Sequence, residues 1–448
     1  MSKGGRRVLF YSLVLVFIIV GTITIFYSRG FRIDFDTLTL KKTGAIFIRT
    51  EPKESILFVD DKEIKRNDGF LLSGTLVKNL VPQTYKIRVS KEGYIDWINV
   101  LPVNPGVVTE VKDILLLPEA GISFENTSTS TKDFWLFSDV VILADTQAGL
   151  IYNGYILSGD IFIKETIDHD KVITYNARRD TYLMNDVNNK STININLLFN
   201  TERANKFGSL DKGGVINVLP SPRNSGEVVV LSQRAIYILN IDTKEVKLIY
   251  DELYEDALFR SGDLIVYSKN KINFVNIDTA EIKKVITVSQ AIKDIKIFNN
   301  SKNDAIILLK NGSLNVLQRE QYELKEIDKE VKSLYTTENN LFIYLKESGL
   351  TTIYNTEKER ALTTQLPRVD LIKDIKQVLD NHFLVLYPDS LFLMHVADFN
   401  IGLENPQLSL NKMVTDEIEK IALDGRGVLY YLNSDEELYS SLYFREVF

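Results

Sequence analysis

The chain has 448 residues and no cysteine. That absence excludes disulfides and thiolate metal sites, and it fits a protein working outside the cytoplasm without requiring one. Histidine is almost as scarce, with only His169, His382 and His395. None stands at the His-Glu-x-x-His spacing of a helical metal site. His382 opens an apolar strand and His395 lies inside the apolar run LFLMHVADF, so both read as packing residues. The nearest thing to a metal cluster, DHDK at 168–171, reads as an exposed turn between strands. A Gly-x-Ser-x-Gly elbow, a phosphate-binding Walker loop and a dinucleotide fingerprint are all missing. No catalytic, cofactor-binding or metal residue is therefore assigned, and the expectation is a non-enzymatic protein without a cofactor. Asp and Glu number 60, so a glycosidase pair is not excluded by composition, but one drawn from distant strands has no readable spacing. A net charge of −7, a pI near 5.4 and no basic stripe argue against nucleic acid as a partner.

Long apolar runs are also rare. One exists, VLFYSLVLVFIIVGTITIFY at 8–27, uncharged and long enough to cross the hydrocarbon core as a helix. Lys3, Arg6 and Arg7 precede it; Arg29 and Arg32 follow, partly offset by Asp34 and Asp36. The positive N-terminus puts residues 1–7 in the cytoplasm and the body outside. The rival reading is a cleaved signal peptide, which wants a shorter core and a small-x-small site; here IFYSRGF follows. The expectation is a single-span anchor in the cell membrane, with a linker at 28–43.

Residues 44–118 alternate as strands do. In TYKIRVS, Tyr85, Ile87 and Val89 point one way and Lys86, Arg88 and Ser90 the other. ILFVDDKEI reads as two strands turning at Asp60-Asp61-Lys62, and Gly93 in KEGYIDW suits a turn. A small β-sandwich is expected. For Tyr94 and Trp97 two readings stand side by side, an aromatic ligand platform and plain core packing.

The same residues resemble a PEGA domain. Gly44, Ile46, Ile48 and Thr50 are followed by Pro52-Lys53-Glu54-Ser55, the Asp60-Asp61-Lys62 hairpin, Leu80-Val81-Pro82-Gln83-Thr84-Tyr85, Lys91-Glu92-Gly93-Tyr94 and Trp97. The departures are Pro-Lys-Glu-Ser in the naming tetrapeptide, Asp61 for the hairpin glycine, and no glycine before Tyr85. The resemblance covers about a sixth of the chain. It implies a bacterial surface location and a binding or spacer role, with Gly44, Pro52, Asp60, Lys62, Tyr85, Gly93, Tyr94 and Trp97 as fold-forming positions and no reaction.

Residues 119–448 repeat themselves. ILNIDTKEVKLI at 238–249 returns as FVNIDTAEIKKV at 274–285. Each copy sits in a longer phrase of apolar strands and polar turns, beginning at Glu227, Asp263, Asp304, Asn340, His382 and Gly427, with weaker copies from Asp139 and Asp170. Starts about 36 to 45 residues apart suit units of four short strands, and hence a β-propeller. Asn-Ile-Asp-Thr-x-Glu is then the hairpin between a unit's third and fourth strands. Asp242 and Asp278 are expected to cap it, Ile241 and Ile277 to anchor it, and Asn355-Thr356-Glu357 to fill the same slot. Seven blades are expected, with eight as the alternative, because 185–225 reads as a long polar loop around one strand.

The composite expectation is mainly β: an N-terminal transmembrane helix, a small β-sandwich and a propeller-like body at 119–448. Its function would be to bind a protein or glycan partner at the cell envelope. A polysaccharide-acting enzyme and a purely structural surface component are the alternatives.

Overall fold

The computed structural model describes residues 3–446 except 29, 35–38, 65–73, 138–139, 153, 209–212, 261, 298–302, 319–321, 337–340, 357–358, 380–381 and 397–407. Helix α1 spans Lys3–Ser28. Within it Phe10–Ser28, 19 residues of mean hydropathy 2.3, has none of its length buried against the rest of the chain. It is the one described helix long and apolar enough to cross a membrane. A helix satisfies all its backbone groups internally, which hydrocarbon demands. Residues 28–43 are more than a linker: Phe31–Asp34 pairs antiparallel with Thr39–Lys42.

Two sheets follow. Gly44–Glu51 pairs antiparallel with Thr75–Leu80 and parallel with Val108–Leu115. Lys62–Ile64, Ile56–Val59, Thr84–Ser90 and Trp97–Pro102 form the second sheet in that order. Alternation decides which side faces in: Tyr85, Ile87 and Val89 are buried and meet Ile46, Ile48 and Ile114 in one core.

The remaining chain forms eight four-stranded antiparallel sheets among the described residues. Seven are simple meanders, at 131–156, 161–194, 215–250, 256–287, 292–328, 331–364 and 374–415. The eighth takes Ile418–Leu423, Leu429–Asn433 and Leu438–Ser441 from the C-terminal end and its fourth strand, Glu125–Ser128, from the start of the body. A separate apolar core lies between each sheet and the next. The last core joins the eighth sheet back to the first, through Phe134, Tyr430, Leu432 and Leu438. First strands of neighbouring sheets touch one another, as in 161–165 with 215–220 and 331–336 with 374–379. This is a propeller-like architecture.

The sheets number eight, the alternative count, where the preferred reading had seven. The cause lies at 185–225. That stretch holds the outer strand of the second sheet, Ser191–Asn194, then α2 (Ile195–Phe207), then the first strand of the third sheet, Val215–Pro220. It is not a polar loop. The Asn194 side chain caps α2 by accepting from Leu197 N at 2.9 Å, and Ile195, Phe199 and Arg203 are buried.

The repeated hairpin lies where the sequence puts it, between third and fourth strands, with Ile241 and Ile277 buried. Its cap is a different residue. Asn240 Oδ1 accepts from Asp242 N (3.0 Å) and Thr243 N (2.8 Å); Asn276 Oδ1 accepts from Asp278 N (2.8 Å) and Thr279 N (2.9 Å). A side chain two residues before the donor closes the Asx turn, so asparagine holds the turn and the aspartate points away. Asp278 instead pairs with Arg223 of the preceding sheet's first turn. In the third copy Asn355 ends its strand, and Glu357 lies outside the described residues.

Asn276→Ala should therefore cost about 1–2 kcal/mol, the loss of a cap with two donors. Asp278→Ala, which removes a largely exposed ion pair, should cost less than about 0.5–1 kcal/mol. Urea unfolding of the two variants measures the order; the reverse order would return the capping role to the aspartate.

Candidate functional site

Two places in the body gather polar side chains: the axis and the seam with the sandwich. The axis is lined by the first strand of each sheet. Most of these strands carry a register shift near one end. A bulge leaves a backbone N–H without a ladder partner. At two of these shifts a side chain accepts from the N–H of the following residue, Asp133 at 2.7 Å and Asn217 at 2.8 Å; Asp256 and Asp374 make the same bond away from any shift, at 2.8 and 2.9 Å. A short polar residue thus recurs along the axis for a local reason.

Lysines bridge from sheet to sheet there. Lys420 Nζ donates to Asp133 Oδ1 at 2.6 Å, joining the eighth sheet to the first, and sits 4.7 Å from the ring of Trp135. Lys373 and Lys376 donate to the carbonyls of Ile418 (2.9 Å) and Ile421 (2.6 Å), and Lys293 to that of Lys332 (2.7 Å). Burial pushes the Lys376 amine below the ordinary lysine range, and the charge of Lys420 adds to the fall. Each of these four amines thus has an acceptor on the next sheet, a carboxylate for Lys420 and a backbone carbonyl for the other three. Among the described residues no group of three or more His, Asp or Glu could hold a metal.

At the turn 166–170, His169 and Asp168 are exposed, as the sequence reading expects for DHDK. The turn is more ordered than that reading implies. The buried Glu165 accepts from Tyr152 OH at 2.9 Å and lies 2.7 Å from His169 Nδ1. Burial, with Glu165 alongside, pushes the Tyr152 hydroxyl up.

The seam is where the sandwich meets the body. Leu115 and Leu117, at the end of its last strand, pack into the core between the seventh and eighth sheets. Ile95 N donates to Leu117 O at 2.8 Å, Glu119 N to Gly93 O at 2.9 Å, and the Tyr443 hydroxyl to Leu116 O. Trp97 crosses the seam: its Nε1–H donates to His395 Nδ1 at 3.4 Å, with the rings edge-on at 5.9 Å. His395 pairs in register with His382 on the neighbouring strand, ring centroids 4.6 Å apart. All three side chains are buried. Accepting from Trp97 requires an unprotonated His395 Nδ1. Burial lowers the His395 pKa to about 4 and drives that of His382 well down, with His395 adding to it.

The eight motif positions lie apart, on separate strands and turns. Gly44 opens its strand against the Asn104 carbonyl, where a Cβ would also come within 2.6 Å of Val103. Pro52 sits in the turn after that strand. Asp60 and Lys62 flank the hairpin; Asp60 and Asp61 take φ of 48° and 62°, and Asp60 Oδ1 accepts from Lys86 N at 2.8 Å. Aspartate tolerates this conformation, which accounts for the missing hairpin glycine. Tyr85 OH donates to Val81 O at 3.0 Å, and Gly93 turns at φ 78°. Tyr94 is partly buried and bridges to Pro118. Tyr94 and Trp97 are thus packing residues at the seam and form no exposed platform. Sequence reasoning missed Asp133, Lys376, Lys420 and Glu165. An Asp or Asn in five of the eight first strands was the available signal for the axis.

No protein-family model matches the chain, and no curated protein matches it. Among solved structures, the crystal structure of BamB from Moraxella catarrhalis is similar at 10% identity and a TM-score of 0.44, over 71% of this chain and 96% of that one. A chain in a crystal structure of a Mitotic Checkpoint Complex is similar at 12% identity and a TM-score of 0.40, over 63% of this chain and 89% of that one.

The seam sets a pH dependence. A histidine with an ordinary pKa of 6.5 unfolded and about 4 folded binds its proton only in the unfolded chain between those values. Stability is therefore complete above pH 6.5 and falls as pH drops toward 4, by roughly 3 kcal/mol from His395 alone. Calorimetric melting from pH 7 to 4.5 should show this fall in the parent chain and a shallower one in His395→Gln. Equal slopes would contradict the assignment.

Proposed function

We propose that the protein is a single-pass membrane protein whose body stands outside the cell and binds a protein or glycan partner. In this reading the body is an eight-bladed propeller and the PEGA-like sandwich is a spacer. The observation that carries the reading is the unburied helix. An apolar segment with hydropathy 2.3 and none of it buried in its own chain suits a hydrocarbon solvent, and a bilayer supplies one. The basic residues Lys3, Arg6 and Arg7 favour the cytoplasmic side for the N-terminus. Support for a binding role comes from the body: its eight sheets have cores between successive members, and its turns are left at the two ends of the ring. Such an architecture offers broad loop surfaces, while lysines along its axis already have acceptors on the neighbouring sheet. Eight blades are supported by the eight sheets and by the core that joins the last to the first.

Protease added to intact cells of the source organism should digest the body and spare an N-terminal tag. A body protected until lysis overturns the orientation. A photo-crosslinker at Lys244, on an exposed third-to-fourth-strand turn, should trap one discrete partner. Cleavage of envelope glycans by the purified chain, with no partner trapped, overturns the binding role in favour of an enzyme.

A further inference from the structure

The end of α1 is clasped to the sandwich. Gly30 N donates to Tyr27 O at 3.1 Å; Gly30 O accepts from Thr43 N (2.8 Å) and Thr43 Oγ1 (2.7 Å); Thr43 O accepts from Gly106 N at 2.9 Å. This relay runs from the last helical turn to the loop 103–107, just before the strand Val108–Leu115. A second attachment runs through Arg32. Its guanidinium lies 3.6 Å from the Tyr27 ring centroid, donates to Tyr27 O at 3.0 Å, and reaches Asn79 Oδ1 at 3.0 Å. Two separate parts of the sandwich are thus tied to the point where the helix ends.

The loop and the strand it leads into present two consecutive apolar side chains close to the helix end. Val107 and Val108 are 54% and 45% exposed, side by side. The exposed Lys42 lies over the same loop: a Cβ built on Gly106 would come within 2.5 Å of its Nζ. Lys78, next to Asn79, is also exposed. Small apolar side chains flanked by amines, tied to a membrane helix, match an interfacial lipid layer: valines enter the headgroup–acyl boundary and lysines meet lipid phosphates.

We propose that this loop, with Lys42 over it and Lys78 two strands away beside Asn79, rests on the headgroup layer of an anionic lipid surface and fixes the tilt of the body above the membrane. The inference rests on the anchor reading of α1. Charge complementarity and continuity with the helix select lipid as the occupant over a second copy of the chain.

The absence of cysteine makes the test clean. Ile18→Cys, Val107→Cys and Glu92→Cys, each in the full-length chain, carry a nitroxide label in liposomes with or without anionic lipid. Depth is read from the ratio of oxygen to nickel-complex accessibility. The label at 18 should lie in hydrocarbon and the one at 92 in water. The one at 107 should lie at the headgroups, with a ratio several-fold above that at 92, deepening with anionic lipid. Adding Lys42→Glu should return the 107 label toward the value at 92. A 107 label as wet as the 92 label, with 18 in hydrocarbon, overturns the lipid contact and leaves the anchor standing. A wet label at 18 overturns the anchor and the contact with it. Shielding at 107 that follows protein density and ignores lipid charge makes a second copy the occupant and also overturns the proposal.

Discussion

The body depends on one constraint: its sheets are apolar on both faces. The strands Glu227–Ser232 and His382–Tyr387 are buried along their whole length, with side chains alternating into two different cores. A lone sheet of this kind would wet both rows of valines and leucines, at about 1.5–3 kcal/mol for each large side chain. A second sheet would cover only one face. A closed set leaves no face uncovered, and the strand Glu125–Ser128 completes it by pairing with Leu438–Ser441 from the other end of the body. Closure ties residues 311 apart in sequence, as in the Thr127 hydroxyl donating to Leu438 O. It makes each core support its neighbours.

The polar features follow from that arrangement. Several first strands carry an aspartate or asparagine that accepts from the next N–H, at a bulge for Asp133 and Asn217 and in regular ladder for Asp256 and Asp374. Lysines of one sheet then find carbonyls of the next at short range. The seam adds the sandwich to the same system, because Leu115 and Leu117 enter a core that already exists between two sheets. From α1 to the ring, the chain has hydrogen-bonded junctions at both ends of the sandwich.

How much of this was legible in the sequence differed by strand. Second and third strands announced themselves, because burial on both faces writes an unbroken apolar run such as EVVVLS or HFLVLY. First strands hid: IEKIAL and IKDIKI mix charge into short segments and resemble loops. The closing strand ENTS has no apolar residue at all, since it is an outer edge held by backbone bonds. Helix α2 was lost among asparagines, although its cap is itself an asparagine. The contact of Trp97 with His395 spans 298 residues, and no local pattern carries such a pairing. The Asx turn was placed correctly and credited to the wrong side chain, because Asn and Asp stand two residues apart in the same motif.

Ring closure is tested most directly by joining its two ends. Asn126 and Tyr439 are opposite one another in the closing pair of strands. In this cysteine-free chain, Asn126→Cys with Tyr439→Cys should form one intramolecular disulfide on mild oxidation, without dimers, and the oxidised chain should melt at a higher temperature than the reduced one. Disulfides that form only between chains, or not at all while each single-cysteine variant reacts with a thiol reagent, would contradict a body closed by its first strand.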